Sequence, residues 1–195
     1  MRGQNNLGWM NQNGYGVELD RAKAFEWYMK SAKQDNAEAQ CNVGYMYQYG
    51  YGVSRDYEKA VEWYRKAADQ GHSRGQNSLG IMYRNGNGVE QDDSMAVYWY
   101  RKAAEQGNDN AQCNLGWMYE VGKGVEKDKA KAVEWYRKSA EQGYAIAQCN
   151  LGFMYENGYG VEQDTNTARE WYENAAELGY ADAQSALERL SEISE

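Results

Sequence analysis

The sequence predicts an all-α solenoid, a stack of helix pairs that grows in one direction. The first observation is a self-similarity with a period of 36 residues, marked by pairs of an aliphatic residue and a glycine. Those pairs are Leu7-Gly8, Val43-Gly44, Leu79-Gly80, Leu115-Gly116 and Leu151-Gly152. The second observation is an apolar periodicity of helical type in both halves of each repeat. The third is the absence of proline from all 195 residues, which suits uninterrupted helices joined by glycine turns.

Each repeat is expected to form two helices, A and B, and residues 37–72 illustrate both. The apolar face of helix A comprises Ala39, Val43, Met46 and Tyr47. That of helix B comprises Ala60, Val61, Tyr64, Ala67 and Ala68. Small residues, the glycine of the Leu-Gly pair and the alanine at Ala60, predict a close approach of the two helices.

Glycine and aspartate mark the helix ends. Gly50 and Gly52 flank the A-to-B turn, where a positive φ is expected, and Gly71 ends helix B in the same way. At the first repeat boundary Asp35-Asn36 replaces that glycine, and both residue types tolerate the left-handed region. An aspartate recurs just before helix B, where it predicts an N-cap. Its copies are Asp20, Asp56, Asp92, Asp128 and Asp164.

The predicted organisation is five helix pairs and a terminal cap. The pairs occupy residues 1–36, 37–72, 73–108, 109–144 and 145–180, and the capping helix occupies residues 181–195. In the cap Leu187-Glu188 replaces the Leu-Gly pair, and a charge there does not suit close packing. The first repeat starts without the polar cap that terminal repeats carry. We therefore expect an upstream segment to precede it, which leaves the localisation unknown.

Composition narrows the classes of partner. A net charge of −8 and a pI near 4.9 argue against a phosphate-binding surface, so no nucleic-acid partner is predicted. No apolar run reaches about 18 residues, so no membrane span is predicted. Cys41, Cys113 and Cys149 share one repeat position, and equivalent atoms of stacked helices lie about 8–10 Å apart. Disulfides are not expected, which favours a reducing compartment such as the cytoplasm.

Three motifs recur in register five times and carry a family resemblance. They read A-x-A-Q-x-x-L-G-x-M-Y, then G-x-G-V followed by Asp, then A-x-x-W-Y-x-K-A-A-x-x-G. The chain resembles the Sel-one-like repeat (SLR), a relative of the tetratricopeptide repeat. The resemblance implies a right-handed α/α superhelical solenoid of antiparallel helix pairs that serves as an adaptor or scaffold for protein complexes.

A cysteine-rich bacterial branch of that family differs from this chain in the number of cysteines per repeat. Its repeats carry two cysteines that bridge helix A to helix B, and β-lactam binding or hydrolysis has been attributed to it. This chain has at most one cysteine per repeat, which argues against both bridging and that activity.

Residues that are constant in all copies are interpreted as scaffold. One constant set is Gln4, Gln40, Gln76, Gln112, Gln148 and Gln184, whose amides are expected to tie helices to neighbouring backbone rather than to line a groove. The other is Trp27-Tyr28, Trp63-Tyr64, Trp99-Tyr100, Trp135-Tyr136 and Trp171-Tyr172, expected in the core or in packing between repeats rather than as a stacking platform.

Residues that vary between copies on one face of helix A are the predicted partner-binding site. They occupy the positions of residues 38, 41, 45 and 48, a face distinct from the core face. The predicted site comprises Trp9, Gln12, Glu38, Cys41, Tyr45, Gln48, Arg74, Asn77, Ile81, Arg84, Asn110, Cys113, Trp117, Glu120, Ile146, Cys149, Phe153 and Glu156. The large apolar residues at position 45 suit anchors of a peptide groove, or, alternatively, packing between successive A helices.

The functional prediction is a non-enzymatic adaptor or scaffold that binds a peptide or partner domain of basic or polar character on the concave face. The alternative is an inhibitor of immunity type that clamps a partner enzyme, and a weaker alternative is a β-lactam-binding or hydrolysing protein. No catalytic, metal or cofactor site is predicted, because the only histidine, His72, lies in a loop between repeats and no metal-ligand spacing occurs.

Overall fold

A computed structural model describes residues 2–192 and contains eleven helices and no strand in that range. Met1 and residues 193–195, the outer ends of the predicted first repeat and cap, lie outside the described residues. Contacts divide the chain into two compact units, one that ends at Ala103 and one that begins at Ala104. Each unit is an all-α stack in which successive helices pack against one another, as the sequence predicts.

The first unit contains three A helices and the B helices that alternate with them. Its A helices are α1 (Arg2–Asn13), α3 (Ala37–Tyr49) and α5 (Ser73–Asn85). Its B helices are α2 (Arg21–Ala32), α4 (Tyr57–Asp69) and most of α6 (Asp93–Glu105), which runs past the division.

The second unit repeats this alternation and adds the terminal helix. Its A helices are α7 (Asp109–Val121) and α9 (Ala145–Asn157), and its B helices are α8 (Lys129–Ala140) and α10 (Thr165–Glu177). Helix α11 (Ala181–Glu192) packs against α10 at the position predicted for the cap.

The predicted helix ends are confirmed. Asp56 accepts a hydrogen bond of 3.0 Å from the backbone N–H of Lys59, and the other four aspartates of the series cap their helices in the same way. Gly50 ends α3 with a φ of 73°. Asp35 replaces the glycine at the first repeat boundary and has a φ of 59°. It is the only described residue other than glycine with a positive φ.

Glycine of the Leu-Gly pair lets each helix A lie directly on the tyrosine of its helix B. A Cβ atom on Gly44 would lie 2.7 Å from Cδ1 of Tyr64, and the other four copies show the same crowding. The tyrosines Tyr28, Tyr64, Tyr100, Tyr136 and Tyr172 are among the largest fully buried side chains. The close A-to-B approach predicted from small residues therefore has a defined cause, a ring that fills the space of an absent side chain.

The second turn glycine serves contact between repeats as well as chain reversal. A Cβ on Gly52 would collide with the backbone carbonyl of Arg21 at the start of the preceding helix B, and Gly88 meets the backbone of Tyr57 likewise. In these repeats, and at Gly160 in the second unit, the turn packs on the first turn of the preceding helix B. The sequence predicted the positive φ of this glycine but not its contact.

The glutamine series is structural, as predicted. The amide nitrogen of Gln40 donates to the carbonyl of Ala32 at the end of the preceding helix B, 3.3 Å away. Its oxygen accepts from Gln70 at 2.7 Å. In the last repeat Leu178 replaces the glutamine equivalent to Gln70, and the buried oxygen of Gln148 has no hydrogen-bond partner there.

Gly44→Ala should lower the free energy of unfolding by about 1 to 3 kcal/mol, because the added methyl group displaces the Tyr64 ring or separates α3 from α4. Urea unfolding followed by circular dichroism measures it. Gly3→Ala is the matched control, since its Cβ meets nothing within 4 Å. Alanine has the higher helix propensity and by itself would stabilise both helices, so an equal loss in both variants would mean that the ring contact is not its cause.

Candidate partner-binding face

The exposed side of the A helices in each unit forms the candidate binding surface. We call it the A face and define it by the repeat positions of residues 38, 45 and 48. In the first unit it comprises Trp9, Gln12, Glu38, Tyr45, Gln48, Arg74, Ile81 and Arg84. In the second unit it comprises Asn110, Trp117, Glu120, Ile146, Phe153 and Glu156.

The apolar residues at position 45 remain largely exposed. Trp9 is 51% exposed, Tyr45 39% and Phe153 41%, whereas Ile81 and Trp117 are half-buried. Packing between successive A helices would have buried all five. The exposure of three aromatic rings on the two A faces is the feature expected of anchors that await a partner.

Aromatic residues of the adjoining turn support these rings and were missed in the sequence. Trp9 stacks on Tyr15 with ring centroids 4.8 Å apart, and Phe153 meets Tyr159 edge to face at 5.8 Å. Tyr45 contacts Tyr51 of its turn at 5.8 Å. The signal was available, because the residue between the two turn glycines is tyrosine in the three repeats where the ring at position 45 is exposed.

The residues at position 41 lie in the seam between A helices, and three of them are too buried to offer a partner much surface. Cys41 is 2% exposed, Asn77 8% and Cys113 6%, while Cys149 is half-buried. Helix α5 covers Cys41: the Arg74 side chain donates from Nε to Sγ of Cys41 at 3.3 Å. Their contact with a partner stays a prediction, and burial limits the surface that Cys41, Asn77 and Cys113 could offer.

Position 48 is joined to the core by the buried tyrosines. The hydroxyl of Tyr64 donates to Oε1 of Gln48 at 2.6 Å, and that of Tyr136 donates to Glu120 at 2.6 Å. The same bond forms between Tyr28 and Gln12, and between Tyr172 and Glu156. These A-face side chains therefore hold one oxygen fixed towards the core.

Arg84 breaks this series because a guanidinium cannot accept a hydrogen bond. The hydroxyl of Tyr100, which faces that repeat position, is buried without a hydrogen-bond partner. Burial of the five tyrosines raises their hydroxyl pKa, to about 12 for Tyr28, so these groups remain protonated donors at neutral pH.

Residues at position 38 lie in the first turn of each A helix and are exposed. They are Glu38, Arg74, Asn110 and Ile146. Four different side-chain chemistries at one place make this the most variable row of the A face.

A pocket of about 240 Å³ opens on the A face of the first unit. Its lining includes five predicted site residues, namely Trp9, Gln12, Cys41, Tyr45 and Arg74, together with Asn42 and the edges of the buried tyrosines. The structure thus brings together residues from three successive repeats that the sequence could relate only by their repeat position.

The tryptophans of the Trp-Tyr pairs do not form an open stacking platform. The ammonium of Lys66 lies 4.2 Å from the centroid of the Trp63 ring, and Lys138 covers Trp135 at the same distance. Lys30 covers Trp27 at 4.4 Å. These cation–π contacts occupy the ring faces that a base or sugar would need, which supports the scaffold interpretation.

The titratable groups near the A face do not form a nucleophile and base. Burial raises the pKa of the Cys41 thiol, and raises that of Cys113 to about 12 and of Cys149 to about 11. A nucleophilic cysteine needs the opposite shift. His72 caps α5 by accepting from the N–H of Gly75 on Nδ1, and burial lowers its pKa. Within residues 2–192, no group of three or more potential ligands is placed to hold a metal ion.

Comparison with known proteins assigns the family. The Sel1 repeat matches residues 2–36, 37–72, 73–108, 109–144 and 145–180. The chain belongs to the Sel1 repeat family. Sel1 repeats generally serve protein interaction rather than catalysis, so protein partners are indicated. No functionally curated protein matches the sequence.

Solved structures of Sel1 repeat proteins share the fold. The chain is 44% identical to c5321, a protective antigen of uropathogenic Escherichia coli, with a TM-score of 0.87 over 95% of this chain and 40% of that protein. It is 38% identical to a Sel1 repeat protein of Oxalobacter formigenes, with a TM-score of 0.89 over 95% of this chain and 74% of that one. The chain therefore spans less than half of the E. coli protein.

A third solved structure is an immunity protein. The chain is 25% identical to Pa5087 of Pseudomonas aeruginosa, with a TM-score of 0.66 over 94% of this chain and 69% of that protein.

Two further features of the Sel1 repeat chain concern its cysteines and the length of its helices. All three cysteines are free thiols, as predicted. Across the part of the chain that the structure describes, every helix is too short or too polar to span a bilayer.

Arg84→Gln should restore the missing acceptor for Tyr100 and raise the free energy of unfolding by about 1 kcal/mol. The reverse change, Gln48→Arg, should remove the acceptor of the Tyr64 hydroxyl and lower it by about 1 to 2 kcal/mol. Urea unfolding of both variants measures the two changes in the free energy of unfolding. Loss of stability in Arg84→Gln would show that the Tyr100 hydroxyl does not need this acceptor.

Alkylation with iodoacetamide should be slow at Cys41 and Cys113 in the native chain, because their raised pKa keeps the thiol protonated at pH 8. We expect rates about tenfold lower than in urea, with Cys149 faster than the other two. Peptide mass spectrometry resolves each site. Fast native modification of Cys41 would contradict its seam position.

Proposed function

We propose that this Sel1 repeat chain is a non-enzymatic adaptor or scaffold that binds a peptide or partner domain on its A face. The observation that carries the proposal is the exposure of Trp9, Tyr45 and Phe153 beside polar residues that differ between repeats. Exposed aromatic anchors with a polar rim are the usual composition of a protein-binding surface.

The chemistry of the A face supports a protein partner over the other classes. A net charge of −8 disfavours nucleic acid, because phosphate binding relies on clustered basic side chains. Catalysis by a cysteine is disfavoured by the raised thiol pKa values and by the capping role of His72. The polar rim instead supplies side-chain hydrogen bonds that distinguish one peptide from another.

An inhibitor of immunity type is the second candidate, and the similarity to the Pseudomonas aeruginosa immunity protein favours it. In that case the A face would clamp and block an enzyme. A one-to-one complex that silences a measurable enzymatic activity would select the inhibitor over the scaffold. The weaker β-lactam alternative is tested by incubation with a chromogenic β-lactam, where hydrolysis above that of the buffer would support it.

Replacement of Tyr45 and Trp117 by alanine, one from each unit, should weaken partner binding at least about tenfold, because truncation of aromatic anchors costs about 2 kcal/mol or more. Affinity capture from the source cell identifies the partner, and titration calorimetry with the purified partner measures the change. Circular dichroism should show unchanged helix content.

Tyr98→Ala is the matched control, since Tyr98 is an equally exposed aromatic residue that lies on helix B. It should bind the partner as the native chain does. If Tyr98→Ala loses binding while the double variant retains it, the partner docks on the B helices. If the double variant unfolds, Tyr45 and Trp117 are core residues.

A further inference from the structure

We propose that the pocket on the A face of the first unit binds a carboxylate that adjoins an apolar group. This rests on the proposed function and gives it a ligand chemistry. The carboxylate would lie against Arg74 and Gln12, with its apolar neighbour between Trp9 and Tyr45. The hydrogen-bond inventory of the pocket carries this assignment.

Arg74 supplies donors that the protein itself does not use. Its guanidinium donates from Nε to Sγ of Cys41 and from one terminal nitrogen to Oδ1 of Asn42. A guanidinium has five N–H groups, so three have no protein partner within residues 2–192. The two bonds hold the group at the pocket wall, where a fixed fork suits a carboxylate.

The position of Arg74 in its helix adds to this preference. It is the second residue of α5, where the partial positive charge of the helix terminus disfavours a cation. Glu38, in the same row of the preceding helix A, interacts with Arg74 through its charge but does not come within 4.0 Å to form an ion pair with it. A bound anion would neutralise both the guanidinium and the helix terminus.

Gln12 supplies a second unused donor. Its Oε1 accepts from the Tyr28 hydroxyl at 2.8 Å, its side chain lines the pocket, and its Nε2 has no hydrogen-bond partner among the described residues. Two acceptors of the pocket are already occupied: Oδ1 of Asn42 by Arg74, and Oε1 of Gln12 by Tyr28. Another lining residue, Asn13, donates from Nδ2 to the carbonyl of Trp9 and keeps its oxygen as an acceptor. The spare donors of Arg74 and Gln12 together favour a group that only accepts, which an ionised carboxylate does.

The walls and size of the pocket define the rest of the ligand. The exposed rings of Trp9 and Tyr45 flank the opening and offer an apolar surface. A volume of about 240 Å³ is smaller than the roughly 300 Å³ at which sites for drug-sized ligands begin. The pocket therefore fits one residue of a peptide, either at its free C-terminus or at an acidic side chain next to an apolar one.

The test uses four small probes and the ¹⁵N-labelled full chain. N-acetylphenylalanine carries a terminal carboxylate, and N-acetylphenylalaninamide is its neutral match. Acetyl-Phe-Glu-amide carries a side-chain carboxylate, and acetyl-Phe-Gln-amide is its neutral match. We expect shifts of the Trp9 indole and Arg74 Nε–H resonances, dissociation constants on the order of 1 mM for the better acid, and about tenfold weaker binding of its amide.

Paired variants separate the pocket from general charge effects. Gln12→Glu keeps the acceptor for Tyr28, as Glu120 and Glu156 do in other repeats, but removes the donor, and should abolish the preference for the acid. Gln48→Glu makes the same change outside the pocket lining and should retain it. Arg74→Asn, the residue found at Asn110, should also lose the preference, while Arg55→Asn should not.

Each outcome decides for or against the carboxylate. Preference for either acid that is lost in Gln12→Glu and kept in Gln48→Glu supports the proposal, and the probe that binds better identifies the source. Equal binding of acids and amides, or no shift at 10-fold the expected dissociation constant (about 10 mM), overturns it. Because the probes need no protein partner, that result leaves the proposed function standing. Partner binding that survives the Tyr45 and Trp117 replacements would reject the function instead.

Discussion

The contact between the Leu-Gly glycine and the ring of the B-helix tyrosine is the interaction on which the rest of the structure depends. It sets the distance between helices A and B in every repeat, because the ring occupies the space where a Cβ would stand. A residue larger than glycine would hold the helices apart and expose the alanines that pack beside the ring. The 36-residue period of the sequence thus reflects one steric requirement, the glycine–tyrosine contact, which recurs in all five repeats.

This contact also reaches the surface that we propose for binding. A tyrosine held by its ring against helix A extends its hydroxyl to position 48, where Gln12, Gln48, Glu120 and Glu156 accept from it. Variation at position 48 is therefore largely restricted to acceptors, and each side chain keeps one polar end for the core and one for a ligand. Sequence variability alone did not reveal this double role.

The sequence predicted what local rules determine and missed what stacking determines. Helix limits, caps and positive φ values follow from residues a few positions apart, so they were predictable at Asp56 or Gly50. The burial of Cys41 depends on Arg74, 33 residues later, and helical spacing carries no information on that distance. The turn tyrosines that contact Trp9 and Phe153 were missed for a different reason: they are close in sequence, and the tyrosine between the turn glycines could have indicated them.

Net charge was a poor guide to the chemistry of the pocket. A value of −8 favours a basic or polar partner for the molecule as a whole. Exposed charges are screened over about 8 Å at physiological salt, so acidic residues far from the pocket contribute little there, and Glu38 is the acidic residue whose charge acts on Arg74. The local chemistry then depends on the N–H groups of Arg74 and Gln12 that the protein itself does not use. Because the repeats share one scaffold, a single arginine in one repeat is enough to make that pocket favour an anion although the whole chain is negatively charged.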